Sequence, residues 1–407
     1  MLTERLEFVP ENYREVLAAV PAAAGVFLLR GDSEAAEPYI TKTANLRRRL
    51  ERLLGAPEER SRRLNLRERV RWIEYARTGS DFESGFLLYK LLRENFPKTY
   101  ADRMRFRFAP LVKFHLENAY PRASVTTRLG RLGGKSLYYG PFPGRTTAEK
   151  FLNDSLDFFK MRRCVEDLHP DPAFPGCIYS EMKMCLAPCF QGCTDEAYGA
   201  EVGRVRGFLD SRGQSLVREL AAERDDAAQN LAFEEAAAMH SRIEKLKPLL
   251  SQLPEIVGRI DRLAGLMVQP SAEANSVALF RIAQGRIEGP QNFLIQPVEH
   301  AKSQSMESRV EAALTELRSE DRRGRLSPRE SFPRESFPRE SFPRESSSME
   351  TMEHLAILKR WYYRSSRLGE IFVADEKGQL PMRRVVRGIG RVWRGEKEEV
   401  GGSAMLA

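Results

Sequence analysis

No stretch of the 407-residue chain approaches the run of about eighteen apolar residues that a membrane-crossing helix needs, and mean hydropathy is −0.46. A membrane-embedded class is therefore excluded, and no membrane partner is expected. The first residues lack the basic stretch and apolar core of an export signal, so a cytoplasmic, reducing location is expected. Cysteine is missing everywhere except between residues 164 and 193, which hold all five. The five histidines show no repeated metal spacing and are assigned no chemistry. Acidic residues are in deficit: the formal net charge is +8 and the pI about 9.2. That balance favours an anionic partner, nucleic acid first.

Cysteines used as small apolar fillers scatter along a chain; these do not, so they read as a site. Cys164, Cys177, Cys185 and Cys189 complete a four-thiolate set, with Cys193 in surplus. Three chemistries compete. Disulfides are disfavoured by the compartment. Zinc favours paired cysteines with two residues between them, and no such pair is present. A 4Fe-4S cluster suits four thiolates drawn from a long loop, although the spacing matches no common ferredoxin run.

Taken in order, Gly25–Leu29 reads as a short apolar strand, Pro38–Thr41 as its hairpin partner, and Thr43–Leu50 as a helix carrying three consecutive arginines. Residues 101–163 mix short strands with Arg103, Arg105, Arg107, Arg122 and Arg128, which suit either a solvated surface or a nucleic-acid strand. Leu216, Leu220 and Ala227, then Phe233, Met239, Ile243, Leu246 and Leu250, recur at three-to-four-residue steps and predict a helical hairpin. Two helices alone bury little, so their apolar seam calls for a partner or for packing within the chain. Residues 331–345 repeat Ser-Phe-Pro-Arg-Glu, a composition unable to form a core. The segment 353–375 predicts an aromatic, cationic helix and a strand, placed either to dock on the body or to touch DNA through Trp361, Tyr362 and Arg364.

Gly25–Phe27 followed by Tyr39–Leu50 resembles the GIY-YIG nuclease core. Pro121–Arg128, Tyr138–Phe142, the four cysteines and Glu223–Glu244 resemble, in order, further parts of the N-terminal half of the UvrC family, over residues 18–300. The resemblance implies a nuclease-type domain, a 4Fe-4S centre on the four cysteines, with zinc as the alternative, and a UvrB-binding (UVR) hairpin with Phe233, Met239 and Ile243 in the partner-binding face. It carries Tyr39, Lys42 and Arg49 onto the family's catalytic positions. It also places Phe27 where a tyrosine is expected, Leu88 where a glutamate holds the divalent metal, and Tyr100 where an asparagine is expected. Glu83 and Glu94 lie about 140° and 120° around the helix from Leu88, so neither substitutes for that glutamate. Leucine offers magnesium no oxygen ligand.

The resulting expectation is an α+β protein: a GIY-YIG-type domain at 18–103, a linker region at 104–163, the cysteine cluster at 164–200, the UVR hairpin at 201–252, a truncated β-rich segment at 253–300, a disordered linker at 301–350, and a basic aromatic helix and tail at 351–407. The RNase H-like nuclease and helix-hairpin-helix units that follow in the family are not expected. The implied function is a shortened UvrC-like excision-repair protein that binds damaged double-stranded DNA and UvrB with an impaired cutting site. The rival is an active single-incision endonuclease.

Overall fold

The computed structural model describes residues 2–33, 36–56, 64–295, 305–326 and 345–396. It is α+β, with helices packed on three four-stranded antiparallel sheets. The first lobe contains β1 (Glu4–Glu7), α1 (Tyr13–Ala19), β2 (Gly25–Arg30), β3 (Tyr39–Thr43), α2 (Leu46–Leu54), β4 (Trp72–Arg77), α3 (Asp81–Asn95) and α4 (Tyr100–Met104). Its strand order is β1-β4-β2-β3. The unbroken apolar run of β2 belongs to an inner strand covered on both faces, and Val26 to Leu29 are all buried. Asn45 caps α2 by accepting the Arg48 N–H at 3.0 Å, and Leu46, Leu50, Leu53 and Leu54 then supply the stripe that packs on Phe27 and Leu29. Ser80 caps α3 in the same way through the Glu83 N–H.

The middle lobe contains β5 (Leu111–His115), β6 (Arg122–Thr126), β7 (Leu137–Gly140), α5 (Arg145–Leu156), α6 (Ile178–Glu181), α7 (Asp195–Asp210), α8 (Gln214–Gln229), α9 (Phe233–Ser251) and the short β8 (Gly258–Arg259). Here α5, α7 and the α8–α9 hairpin share one core with β5 and β7.

The third lobe begins with the meander β9 (Ala264–Pro270), β10 (Ser276–Ala283) and β11 (Arg286–Leu294), and continues through α10 (Met306–Leu326), α11 (Glu345–Tyr362), β12 (Glu370–Val373) and α12 (Met382–Arg394). Two expectations are corrected here. The β-rich segment does not end near residue 300: β12 returns to pair antiparallel with β9, Ile371 opposite Met267, and completes the sheet. Nor is all of 301–350 linker, since α10 buries Val310 and Ala313 against that sheet and buries Leu317 one turn further on. The polar composition of the neighbouring repeat obscured this three-to-four-residue spacing; the repeat itself lies outside the described residues. The helix and strand expected in 353–375 are present, and they dock on the body.

α3 is the wall shared by the first and third lobes. Phe82, Phe86 and Tyr89 pack into a core with Phe280, Leu358 and Trp361, with Phe82 edge-on to Phe280 at 5.0 Å. A Cβ on Gly79, just before α3, would lie 2.2 Å from the Pro270 carbonyl, so only glycine permits this approach between the lobes. Among the described residues no helix is long and apolar enough to cross a membrane.

Candidate functional site

β3 is an edge strand, and along it successive side chains alternate between faces. Tyr39 and Lys42, three residues apart, accordingly find different company. Tyr39 turns to the α2 side, where Arg49 donates to its hydroxyl at 3.1 Å and the Phe27 ring lies 6.2 Å away. Lys42 pairs with Asp81 at the start of α3. Of the three residues carried over from the family, the structure joins Tyr39 to Arg49 and gives Lys42 a different partner.

Asp81 was not singled out from sequence, although its spacing was informative. Seven residues before Leu88, it lies two turns away and only about 20° around the helix, on the same face. Besides Lys42 it accepts from Arg364 at 2.7 Å, a residue 283 positions later in the chain. Burial alone would raise the Asp81 pKa, but its bonds and charge contacts with Lys42, and then Arg364, outweigh that and hold it below the usual range. Leu88 itself is half-buried.

Glu83 turns away, as its helical position required. It is buried, accepts the Gly79 N–H at 2.8 Å, and borders a second cavity with Arg77, Lys90 and Glu273. Burial first, then the nearby charge of Glu273, pushes its carboxyl up to about 7 despite the Gly79 bond. Glu94 borders that cavity too. Tyr100, at the position where the resemblance expects asparagine, donates to Glu353 of α11 at 2.6 Å. Tyr89 donates to the other oxygen of Glu353 at 2.7 Å.

The cysteine loop is organised around a second centre. Cys164, Cys177 and Cys189 all act electrostatically on Cys185, so the four thiols share one neighbourhood. Burial first, and these thiols after it, push Cys185 up to about 11, against the Ala187 N–H that points at its sulfur from 3.3 Å. Burial also raises Cys189 and Cys193, where Asp195 adds to the effect. Cys193 packs instead on the edge of the middle-lobe core. Sequence reasoning passed over Arg162, which is 1% exposed. Its guanidinium donates to the Tyr120 carbonyl at 2.9 Å, the Glu166 carbonyl at 2.8 Å and the Cys164 sulfur at 3.4 Å. Among the described residues it has no carboxylate partner. A buried cation met only by neutral carbonyls is costly unless a negative charge lies nearby, and here the thiols are the acceptors that can supply one.

Comparison with known proteins bears on this lobe directly. Residues 110–208 match the family model described as UvrC/Cho excinuclease, middle domain. Curated relatives named UvrABC system protein C include that of Carboxydothermus hydrogenoformans, 28% identical over 68% of this chain and 44% of the relative. That of Syntrophomonas wolfei is 27% identical over 73% and 49%, and that of Pseudomonas syringae 28% over 69% and 45%. The chain is UvrC-like. It spans a little under half the length of these relatives. No solved structure matches it.

In this UvrC-like chain the three hairpin residues expected at a partner surface are not held together. Ile243 is buried in the middle-lobe core, Met239 is partly buried against it, and Phe233 is 66% exposed. The expectation for Ile243 is thus corrected: part of the seam packs within the chain. What remains outward is the connection between the helices, where Leu231, with a φ of 59°, is 72% exposed beside Phe233. Among the cations named from sequence, Arg103 is paired with Glu37 and stacked on Phe96. Arg105, Arg107 and Arg128 are exposed, and Arg122 is half-buried.

Proposed function

We propose that this chain acts in nucleotide excision repair as a UvrC-like DNA- and UvrB-binding protein whose GIY-YIG-type site holds phosphate without cutting it. The observation that carries the reading is the Lys42–Asp81–Arg364 arrangement on the helix face that carries Leu88 two turns further on. The one carboxylate on the Leu88 face is already taken up by two cations. A hydrolytic metal would need that oxygen to offset charge on the scissile phosphate, and leucine supplies none. Tyr39 and Arg49 remain joined and suited to a phosphate contact. A nicking assay on damaged duplex loaded with UvrB tests this. We expect no magnesium- or manganese-dependent cleavage. Metal-dependent nicking lost in Tyr39→Phe or Arg49→Ala would establish the active endonuclease instead.

We assign UvrB binding to the tip of the α8–α9 hairpin, where Leu231 and Phe233 are exposed apolar side chains. Phe233→Ala should weaken UvrB retention in a pull-down by about 2 kcal/mol, the scale of an interface anchor. Equal retention would sink the assignment.

For the cysteines, a 4Fe-4S cluster is the better candidate. Its net negative charge would answer Arg162, and the Ala187 N–H and the Arg162 N–H are suitable donors to ligand sulfurs. Among the described residues no three metal-binding side chains close on a single point. Cys164, Cys177, Cys185 and Cys189 would hold the cluster, and its role would be to tie the loop to the middle-lobe core.

A further inference from the structure

We propose that the C-terminal end of α11 completes a phosphate-binding site on the first lobe, formed by Lys42, Arg360 and Arg364 around Asp81, and that its ligand is the backbone of DNA. The proposal rests on the DNA-binding reading above and adds to Lys42 two arginines that lie outside the family motifs. An open pocket lies where the lobes meet, lined by Lys42, Asp81 and Gly85 from one side and by Arg360, Trp361 and Arg364 from the other. Three cations therefore face one carboxylate. Arg360 is exposed and has no hydrogen-bond or ion-pair partner among the described residues. Arg364 and Lys42 keep 44% and 30% of their side-chain surface accessible.

The positive field extends further. Lys359, on the same turn of α11, donates to the Phe108 carbonyl at 3.3 Å. Its pKa is lowered by burial and then by the charge of Arg107, itself exposed. Trp361 is not a DNA-stacking residue: it is 7% exposed, packs against Phe82 and donates its ring N–H to the Leu368 carbonyl. It fixes the end of α11 so that the arginines on either side open onto the pocket. Tyr89 and Tyr100 on Glu353 and Arg93 on Glu350 clamp the rest of the helix to the first lobe. The cations are thus held in place before any ligand arrives, which lowers the ordering cost of binding.

Asp81 has a definite role in such a site. It holds Lys42 and Arg364 together and competes with an incoming phosphate for both. Removing its charge should therefore strengthen binding, whereas removing a cation should weaken it.

The test is titration of a fluorescein-labelled DNA duplex with the full chain over a range of salt concentrations. Arg360→Ala should weaken binding and reduce the log–log salt slope by about one, with Arg360→Lys retaining most of both. Asp81→Asn should tighten binding more than Asp102→Asn, a change at an exposed carboxylate on α4. Arg383→Ala, an exposed arginine on α12, serves as the control for net charge. The site is refuted if Arg360→Ala matches wild type while Arg49→Ala weakens binding, an outcome that leaves the broader DNA-binding reading intact. It is also refuted if Arg383→Ala loses as much as Arg360→Ala, or if a folded Asp81→Asn binds more weakly. Absence of salt-dependent binding by wild type would overturn both the proposed function and this site.

Discussion

The cation cluster beside β3 and the cysteine loop differ in how their buried and half-buried charges are met. Beside β3, Lys42 and Arg364 already share Asp81. Around the cysteines, Arg162 is enclosed more completely than any of these and meets only carbonyls and a thiol. A third case lies behind α3, where Glu83 is buried without a cation and can shed its charge by taking up a proton. A guanidinium has no comparable neutral form to fall back on. Cations that share a carboxylate are neutralised within the chain, whereas a buried cation met by carbonyls and a thiol keeps its charge unless a thiolate or another anion lies beside it.

The largest expected effect is at the cysteines. Cys185→Ala should abolish stoichiometric iron and acid-labile sulfide in anaerobically purified protein and lower its melting temperature, because ligand binding and loop folding are coupled. Zinc in place of iron in the wild type would remove the cluster from the comparison while keeping the need for thiolate charge.

Arg162→Met sharpens the contrast through a change of sign. With the cluster bound, losing the counter-charge should cost about 3 kcal/mol in urea unfolding. In the metal-free chain the same substitution should be neutral or stabilising, since it removes an uncompensated buried cation. Equal destabilisation of both forms would mean that Arg162 serves only as a hydrogen-bond donor.

The smallest effect concerns Glu83. Its folded-state pKa of about 7 lies above its ordinary 4.5, so the folded state holds the proton more tightly than the unfolded chain. That contribution is fully present below pH 4.5 and is lost as pH rises through about 7, a change on the order of 3 kcal/mol. Glu83→Gln should flatten this part of the stability–pH curve. An unchanged slope would show that the carboxyl stays ionised and that its burial is compensated in some other way.

Several elements could be read directly because their causes are local. The helix that follows β3, the apolar run of β2 and the α8–α9 hairpin depend on residues one to four positions apart, and the structure has them within a few residues of where the patterns predicted. The grouping of the cysteines was likewise visible from their absence elsewhere. What spacing could not show was which face of a helix would be covered. Ile243 has the same apolar character as Phe233, yet one is buried and the other is exposed at the hairpin tip. That difference arises from α5 and α7, which pack against the hairpin from earlier in the chain.

Composition also concealed structure. The apolar spacing of Val310 and Leu317 lies next to the polar repeat, and the fourth strand of the β9–β11 meander lies beyond that repeat in the chain. β-Pairing depends on which edge remains open rather than on separation along the chain, so β12 joins the open edge of β9 from about a hundred residues away. The residue types, the apolar periodicities and the presence of leucine at position 88 were determined by the sequence alone. The meeting of Asp81 with Arg364 and the enclosure of Arg162 were decided by tertiary packing, because the energy of a charge is set by everything around it, including groups hundreds of residues away.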